Sequence, residues 1–110
     1  MKVKSKVWLE KNGKLIFGSG KSLILTAILE TGSINKAAKR MDMSYRHTWS
    51  YIVSAERKIG KQLLIKIKGV RNGGGAILTD YAKDLLRKYE KLEQKVNAYT
   101  DKCYKDIFLA

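Results

Sequence analysis

The chain has 110 residues, 45% of them hydrophobic, with 23 Lys and Arg against 10 Asp and Glu and a formal net charge of +13. That length suits one ordinary domain whose core is large enough to fold alone, and the charge selects a polyanionic partner, nucleic acid foremost, through long-range attraction and counterion release. A single cysteine, Cys103, excludes an intramolecular disulfide framework and a multi-cysteine zinc site, and no apolar run reaches the roughly 20 residues of a membrane span or forms a signal-peptide core.

The charge is unevenly placed. Residues 1–20 hold five Lys against one acid, residues 21–78 hold eleven Lys or Arg against three acids, and residues 79–110 hold seven against six. A basic body is thereby set apart from a nearly neutral C-terminal segment. We expect two parts with different roles, divided as residues 1–78 and 79–110.

In chain order, Val3 to Phe17 reads as a hairpin, with Val3, Val7, Leu9, Leu15 and Phe17 apolar around an Asn12-Gly13 turn that favours positive φ. Lys21 to Glu30 places Leu23, Ile24, Ala27 and Ile28 at helical spacing, and Thr31-Gly32 supplies a stop. Ser33 is a cap for a short second helix through Ala37, Ala38 and Met41; Asp42-Met43 makes a turn; Ser44 caps a third helix that Gly60 ends near Ile59. Two helices joined by so short a turn form a helix-turn-helix unit. Leu63 to Lys68 and Ala76 to Thr79 read as strands around the glycine-rich tip Gly69 to Gly75, a wing. Beyond it, Leu78, Ala82, Leu85, Tyr89, Leu92, Val96, Tyr99 and Cys103 follow steps of four and three, a heptad seam that needs its own domain or a second chain to bury it. The expected fold class is mainly α with small β hairpins (α+β): a winged helix-turn-helix with an N-terminal hairpin and a long C-terminal dimerisation helix.

The chemistry centres on the third helix, 44–59. Thr48, Ile52, Ala55 and Ile59 recur at steps of four, three and four and form the inward face. The opposite face offers Tyr45, Arg46, His47, Trp49 and Ser50 to the major groove, where Arg bonds guanine in bidentate fashion and Ser or His reaches base edges; Trp49 is open between core and groove. Ser33, Lys36 and Ser44 are candidate phosphate contacts at the helix starts. The wing, 66–76, adds Lys66, Lys68, Arg71, Asn72 and Gly73 for flanking backbone or the minor groove. Dimer contacts are assigned to Leu85, Tyr89, Leu92, Val96 and Tyr99.

Other chemistries are poorly supplied. Gly18-Ser19-Gly20-Lys21-Ser22 looks like the end of a phosphate-binding loop, but the glycine required five positions before Gly20 is Leu15, so ATP binding is set aside and Lys21 is read as a phosphate anchor or plain surface. One His, one Cys and no clustered carboxylates leave few nucleophile, base or metal combinations. We expect no enzyme activity, no cofactor and no metal. Cys103 on the seam reads as a small buried hydrophobe.

The stretch Gly32 to Leu86 resembles the N-terminal domain of the molybdate-responsive transcriptional regulators, the ModE family, a relative of the LysR-type winged-helix domain. Its carriers are Gly32-Ser33-Ile34 with Ala37-Ala38, then Met43-Ser44-Tyr45-Arg46 with Trp49 and Ile52, and Gly73-Gly74-Gly75-Ala76-Ile77-Leu78-Thr79. The resemblance implies a homodimer with two recognition helices set for a near-palindromic DNA site. That family adds a molybdate-binding portion with no counterpart in these 110 residues, so no molybdate site is expected within the chain. The expected function is a sequence-specific, double-stranded-DNA-binding transcriptional regulator, cytoplasmic and nucleoid-associated in a prokaryote, without membrane contact. The alternatives are a non-specific architectural or chromatin-like DNA binder, and a protein-interaction module.

Overall fold

The computed structural model describes residues 1–67 and 75–110. The sequence-assigned wing tip, with Lys68, Arg71, Asn72 and Gly73, lies outside the described residues. The first hairpin joins β1 (Leu9–Lys11) and β2 (Lys14–Phe17), antiparallel, with Lys11 opposite Lys14 and an irregularity between Leu9 and Glu10. Its turn residues, Asn12 and Gly13, have φ of 54° and 76°, the double left-handed conformation that a two-residue hairpin loop requires.

The hairpin is shorter than the apolar pattern suggested. Val3 and Val7 are not in a strand; residues 1–8 run back along the last helix instead. Tyr89 Oη donates to Val7 O at 2.7 Å, Ser5 Oγ to Asn97 Oδ1 at 2.6 Å and Tyr104 Oη to Met1 O at 3.1 Å. The backbone that would have lengthened the strand finds its partners on a helix some 80 to 100 positions away.

α1 (Ser19–Thr31) ends at Gly32, whose φ of 69° lets its N–H close onto Ile28 O at 2.7 Å. α2 (Ile34–Arg40) begins under Ser33, whose hydroxyl accepts from Lys36 N at 3.1 Å. Asp42, at φ 55°, turns the chain, and α3 (Tyr45–Ile59) begins under Ser44, which accepts from His47 N at 3.0 Å. Gly60, at φ 83°, stops α3. Then β3 (Leu64–Lys66) pairs antiparallel with β4 (Ala76–Leu78), Leu64 opposite Leu78. Thr79 caps α4 (Asp80–Phe108) through its hydroxyl and Ala82 N. The architecture is mainly helical, with two small antiparallel hairpins and a long C-terminal helix.

One core joins these elements. Ile24, Leu25, Ala27 and Ile28 of α1, Ile34 and Ala37 of α2, Ile52, Ala55 and Ile59 of α3, and Phe17 of β2 are buried together. α4 contributes Ala82, Leu86 and Tyr89, so its first three turns are rooted in the same core. Phe17 and Tyr89 meet edge to face with centroids 5.1 Å apart. The second hairpin is fastened to the turn between α1 and α2, where Ala76 N donates to Gly32 O and Ser33 bridges Gly75, and its own ladder is extended by Thr79 N donating to Leu63 O. Among the described residues no helix is long and apolar enough to cross a membrane.

Candidate nucleic-acid interface

α3 divides by its own periodicity. Thr48, Ile52, Ala55 and Ile59 are buried, as the step pattern predicts, and Thr48 Oγ1 donates to Ser44 O at 2.9 Å, which satisfies the one polar atom on that face. Turned away from the core are Arg46 and Ser50, both exposed. One helical turn further, Val53 and Arg57 continue the same strip at steps of three and four, a continuation that the spacing already contained. His47 is exposed at the margin of this face. The strip is flanked on both sides by aromatic residues of α3 itself.

On the flank facing the second hairpin, Tyr45 and Trp49 are half-buried against the core. Lys66, the last residue of β3, holds its ammonium 4.2 Å from the centre of the Trp49 ring and 5.9 Å from that of Tyr45. Trp49 is thereby divided between core and surface: part of the residue packs inward while the π-face supports a cation. Lys66 is exposed, so its charge is fixed in position without being withdrawn from solvent.

The hairpin itself is set against α3 by Glu56. Its carboxylate accepts from the backbone N–H groups of Leu63, at 2.7 Å, and Leu64, at 3.3 Å, where the chain enters β3. Sequence reasoning did not single out Glu56, because a carboxylate serving two backbone donors seven and eight residues on leaves no local pattern. On the other flank, Tyr51 packs edge to face with His47, centroids 6.5 Å apart, and lies under the ammonium of Lys21 from α1. Tyr51 was not assigned to this flank, and Lys21, read from the sequence as a phosphate anchor or plain surface, is buried and so is not plain surface, since their meeting depends on how α1 crosses α3.

Ser33 and Lys36 sit at the start of α2, with Lys36 exposed. Ser33 and Ser44 spend lone pairs on their helix caps, and a serine hydroxyl that accepts a cap bond still carries a proton to donate. The seam on α4 divides. Tyr89 is buried within its own chain, Leu85 and Val96 are half-buried, and Leu92 and Tyr99 are 41% and 68% exposed. Cys103 is a half-buried free thiol. Among the described residues no three His, Cys, Asp or Glu gather into a group able to hold a metal ion.

Comparison with known proteins places this geometry. The sequence model of the family described as bacterial regulatory helix-turn-helix protein, lysR family, matches residues 22–83. The chain is 39% identical over 71 residues to the transcriptional regulator ModE of Haemophilus influenzae, covering 64% of this chain and 28% of that protein. It is 35% identical over 79 residues to the molybdenum transport protein ModE of Azotobacter vinelandii, covering 72% and 29%. The chain thus spans less than a third of the length of these curated relatives. In fold it resembles the CbnR DBD from a DNA complex, with a TM-score of 0.62 at 20% identity over 79% of this chain and 94% of that one. The BenM DBD bound to benA site 1 DNA gives 0.53 at 24% identity, over 68% and 79%. Both similarities establish a winged helix-turn-helix fold, in which β3 and β4 form the wing. With its capped helix-turn-helix, its wing and the family match over residues 22–83, the chain belongs to the lysR family of bacterial regulatory helix-turn-helix proteins and is homologous to the N-terminal region of ModE.

Proposed function

We propose that the chain acts as a homodimer that binds double-stranded DNA sequence-specifically, with α3 in the major groove. The observation that carries this reading is the exposed Arg46–Ser50 strip between two cation-bearing flanks. A helix with its side chains is about 10–12 Å across and the major groove about 12 Å wide, so the strip meets base edges while the flanks meet the rims. Arg46 bonds a guanine edge, Ser50 and His47 reach neighbouring bases, and Tyr45 and Trp49 act mainly as the platform for Lys66. Ser33, Lys36 and Ser44 bind phosphates on the approach. Lys66 grips the backbone beside the wing, and we extend that role to Lys68, Arg71, Asn72 and Gly73 of its tip.

Dimerisation falls to a stripe on α4 that starts among its rooted turns and runs beyond them. Leu85, Leu92 and Tyr99 recur every seven residues, with Val96 beside them, and Leu92 and Tyr99 remain exposed on a 29-residue helix. A second copy packed along this stripe pairs two α3 helices across a two-fold axis and fits a near-palindromic site. The proposed division is 1–78 for DNA and 79–110 for pairing, with Tyr89 serving the chain's own core. DNA binding, not molybdate sensing, is what we carry from the ModE relatives to these residues.

Selection of bound duplexes from a random pool tests the reading. The purified chain should enrich a two-fold symmetric motif. An unenriched pool, with binding that depends on salt alone, would instead favour the architectural DNA binder.

A further inference from the structure

Two lysines stand over α3 rings at the same distance on opposite flanks of the exposed strip: Lys66 at 4.2 Å from the Trp49 centre and Lys21 at 4.2 Å from the Tyr51 centre. Their settings differ. Lys66 is exposed, whereas Lys21 is only 6% exposed. Burial, and then the nearby positive charge of Lys58, hold the Lys21 ammonium below the ordinary lysine range. No carboxylate pairs with it among the described residues. A withdrawn cation facing another cation is unfavourable in the free protein, and an arriving anion relieves both costs.

The surroundings are built from donors. α1 begins at Gly18 with no side-chain cap and no acid in its first turn, so its first N–H groups lack a side-chain acceptor beside Lys21. Gly20 lets the helix start lie close to α3, since a Cβ there would come within 3.1 Å of Tyr51 Oη. From Lys58 a groove of about 310 Å³ continues between the end of α3 and the first hairpin, lined by Lys11, Asn12, Lys14, Arg57 and Lys58. Four of those five residues are cations and none is acidic. Lys11 has one structural duty, donating to Ile59 O at 3.2 Å; Lys14 and Lys58 have no carboxylate partner among the described residues.

We propose that Lys21, Lys58 and Lys14 form a second phosphate-backbone clamp, by which the first hairpin and the start of α1 grip the DNA strand on the rim of the major groove opposite the wing. The proposal rests on the reading of α3 as the groove-bound helix and deepens it: the hairpin becomes a counterpart of the wing, and the duplex is held from both rims. Along α3, His47 and Lys58 are eleven residues apart, roughly 16 Å, which spans more than one phosphate at about 3.4 Å per nucleotide. An acidic segment of another protein is the rival occupant of such a patch. Its position beside the base-reading strip favours DNA.

The test measures affinity of the full chain for its selected duplex across a salt series. Lys14→Gln with Lys58→Gln should lower the slope of log affinity against log salt by about two, weakening binding equally for all sequences while the preferred motif persists. Lys21→Met should lower the slope by about one and, because it removes a buried ammonium, should raise the thermal midpoint. A merely structural lysine would lower that midpoint on removal, and this result would overturn the role given to Lys21. If the double variant keeps the wild-type slope while Lys66→Gln reduces it, the clamp is wrong and the wing-side reading stands. If the wild-type chain binds no duplex at all, both fail together.

Discussion

Glu56 and Lys21 show how single side chains hold the surface around α3 together. The Glu56 carboxylate is the acceptor for two N–H groups of Leu63 and Leu64, residues that are 1% and 3% exposed. Glu56→Ala leaves those donors without that partner and should cost roughly 1–3 kcal/mol of stability, read by denaturant unfolding, with loosening of the wing. An unchanged midpoint would mean that the entry to β3 is held by packing alone. Lys21 gives a pH dependence of fixed sign. Its folded-state pKa lies below the ordinary value of 10.5, from burial first and Lys58 second. The unfolded chain therefore keeps this proton to higher pH than the folded chain, so the destabilisation due to Lys21 fades as pH rises through the folded pKa toward 10.5. The stability gained by Lys21→Met should accordingly be largest near neutral pH and shrink in alkaline buffer. A gain independent of pH would assign it to packing. Glu56 was not legible as a working part from the sequence, and Lys21, open there between a phosphate anchor and plain surface, was not legible as a buried cation over Tyr51, because each depends on partners brought together by tertiary structure.

Among the elements, those governed by local chemistry were legible. Ser33 and Ser44 as caps, Gly32 and Gly60 as stops, and the inward face Thr48, Ile52, Ala55 and Ile59 follow from propensity and spacing within one or two turns. Ser44→Ala should cost about 1 kcal/mol in stability, since the His47 N–H loses its acceptor at the start of α3, and thermal unfolding measures it. The elements misjudged were those decided at long range. Alternating Val3, Val7 and Leu9 look like strand, yet residues 1–8 bond to Tyr89, Asn97 and Tyr104. The seam on α4 was legible as a stripe but not as a divided one: that Tyr89 turns onto Phe17, with Leu86 buried beside it, depends on where α4 crosses the core. The Lys66 platform on Trp49 likewise needed the wing to be placed before it could be seen.

For the whole molecule, the extents of 59 × 29 × 22 Å reflect α4 reaching well beyond the body. An exposed seven-residue repeat on such a helix is the feature we propose to be covered by a second copy. Leu92→Glu with Tyr99→Glu should convert dimer to monomer in sedimentation experiments and weaken DNA binding far more than the loss of one contact, because the two half-sites would then be engaged independently. A variant that still sediments as a dimer would locate the pairing surface elsewhere. The central claim, however, is that the Arg46–Ser50 strip reads bases, and it is tested most directly by repeating the random-duplex selection with Arg46→Ala. The predicted result is a motif relaxed at one base position in each half-site, with a loss of about 1–3 kcal/mol on the original site. An unchanged motif with a uniform loss across all sequences would contradict it, leaving Arg46 as a phosphate contact.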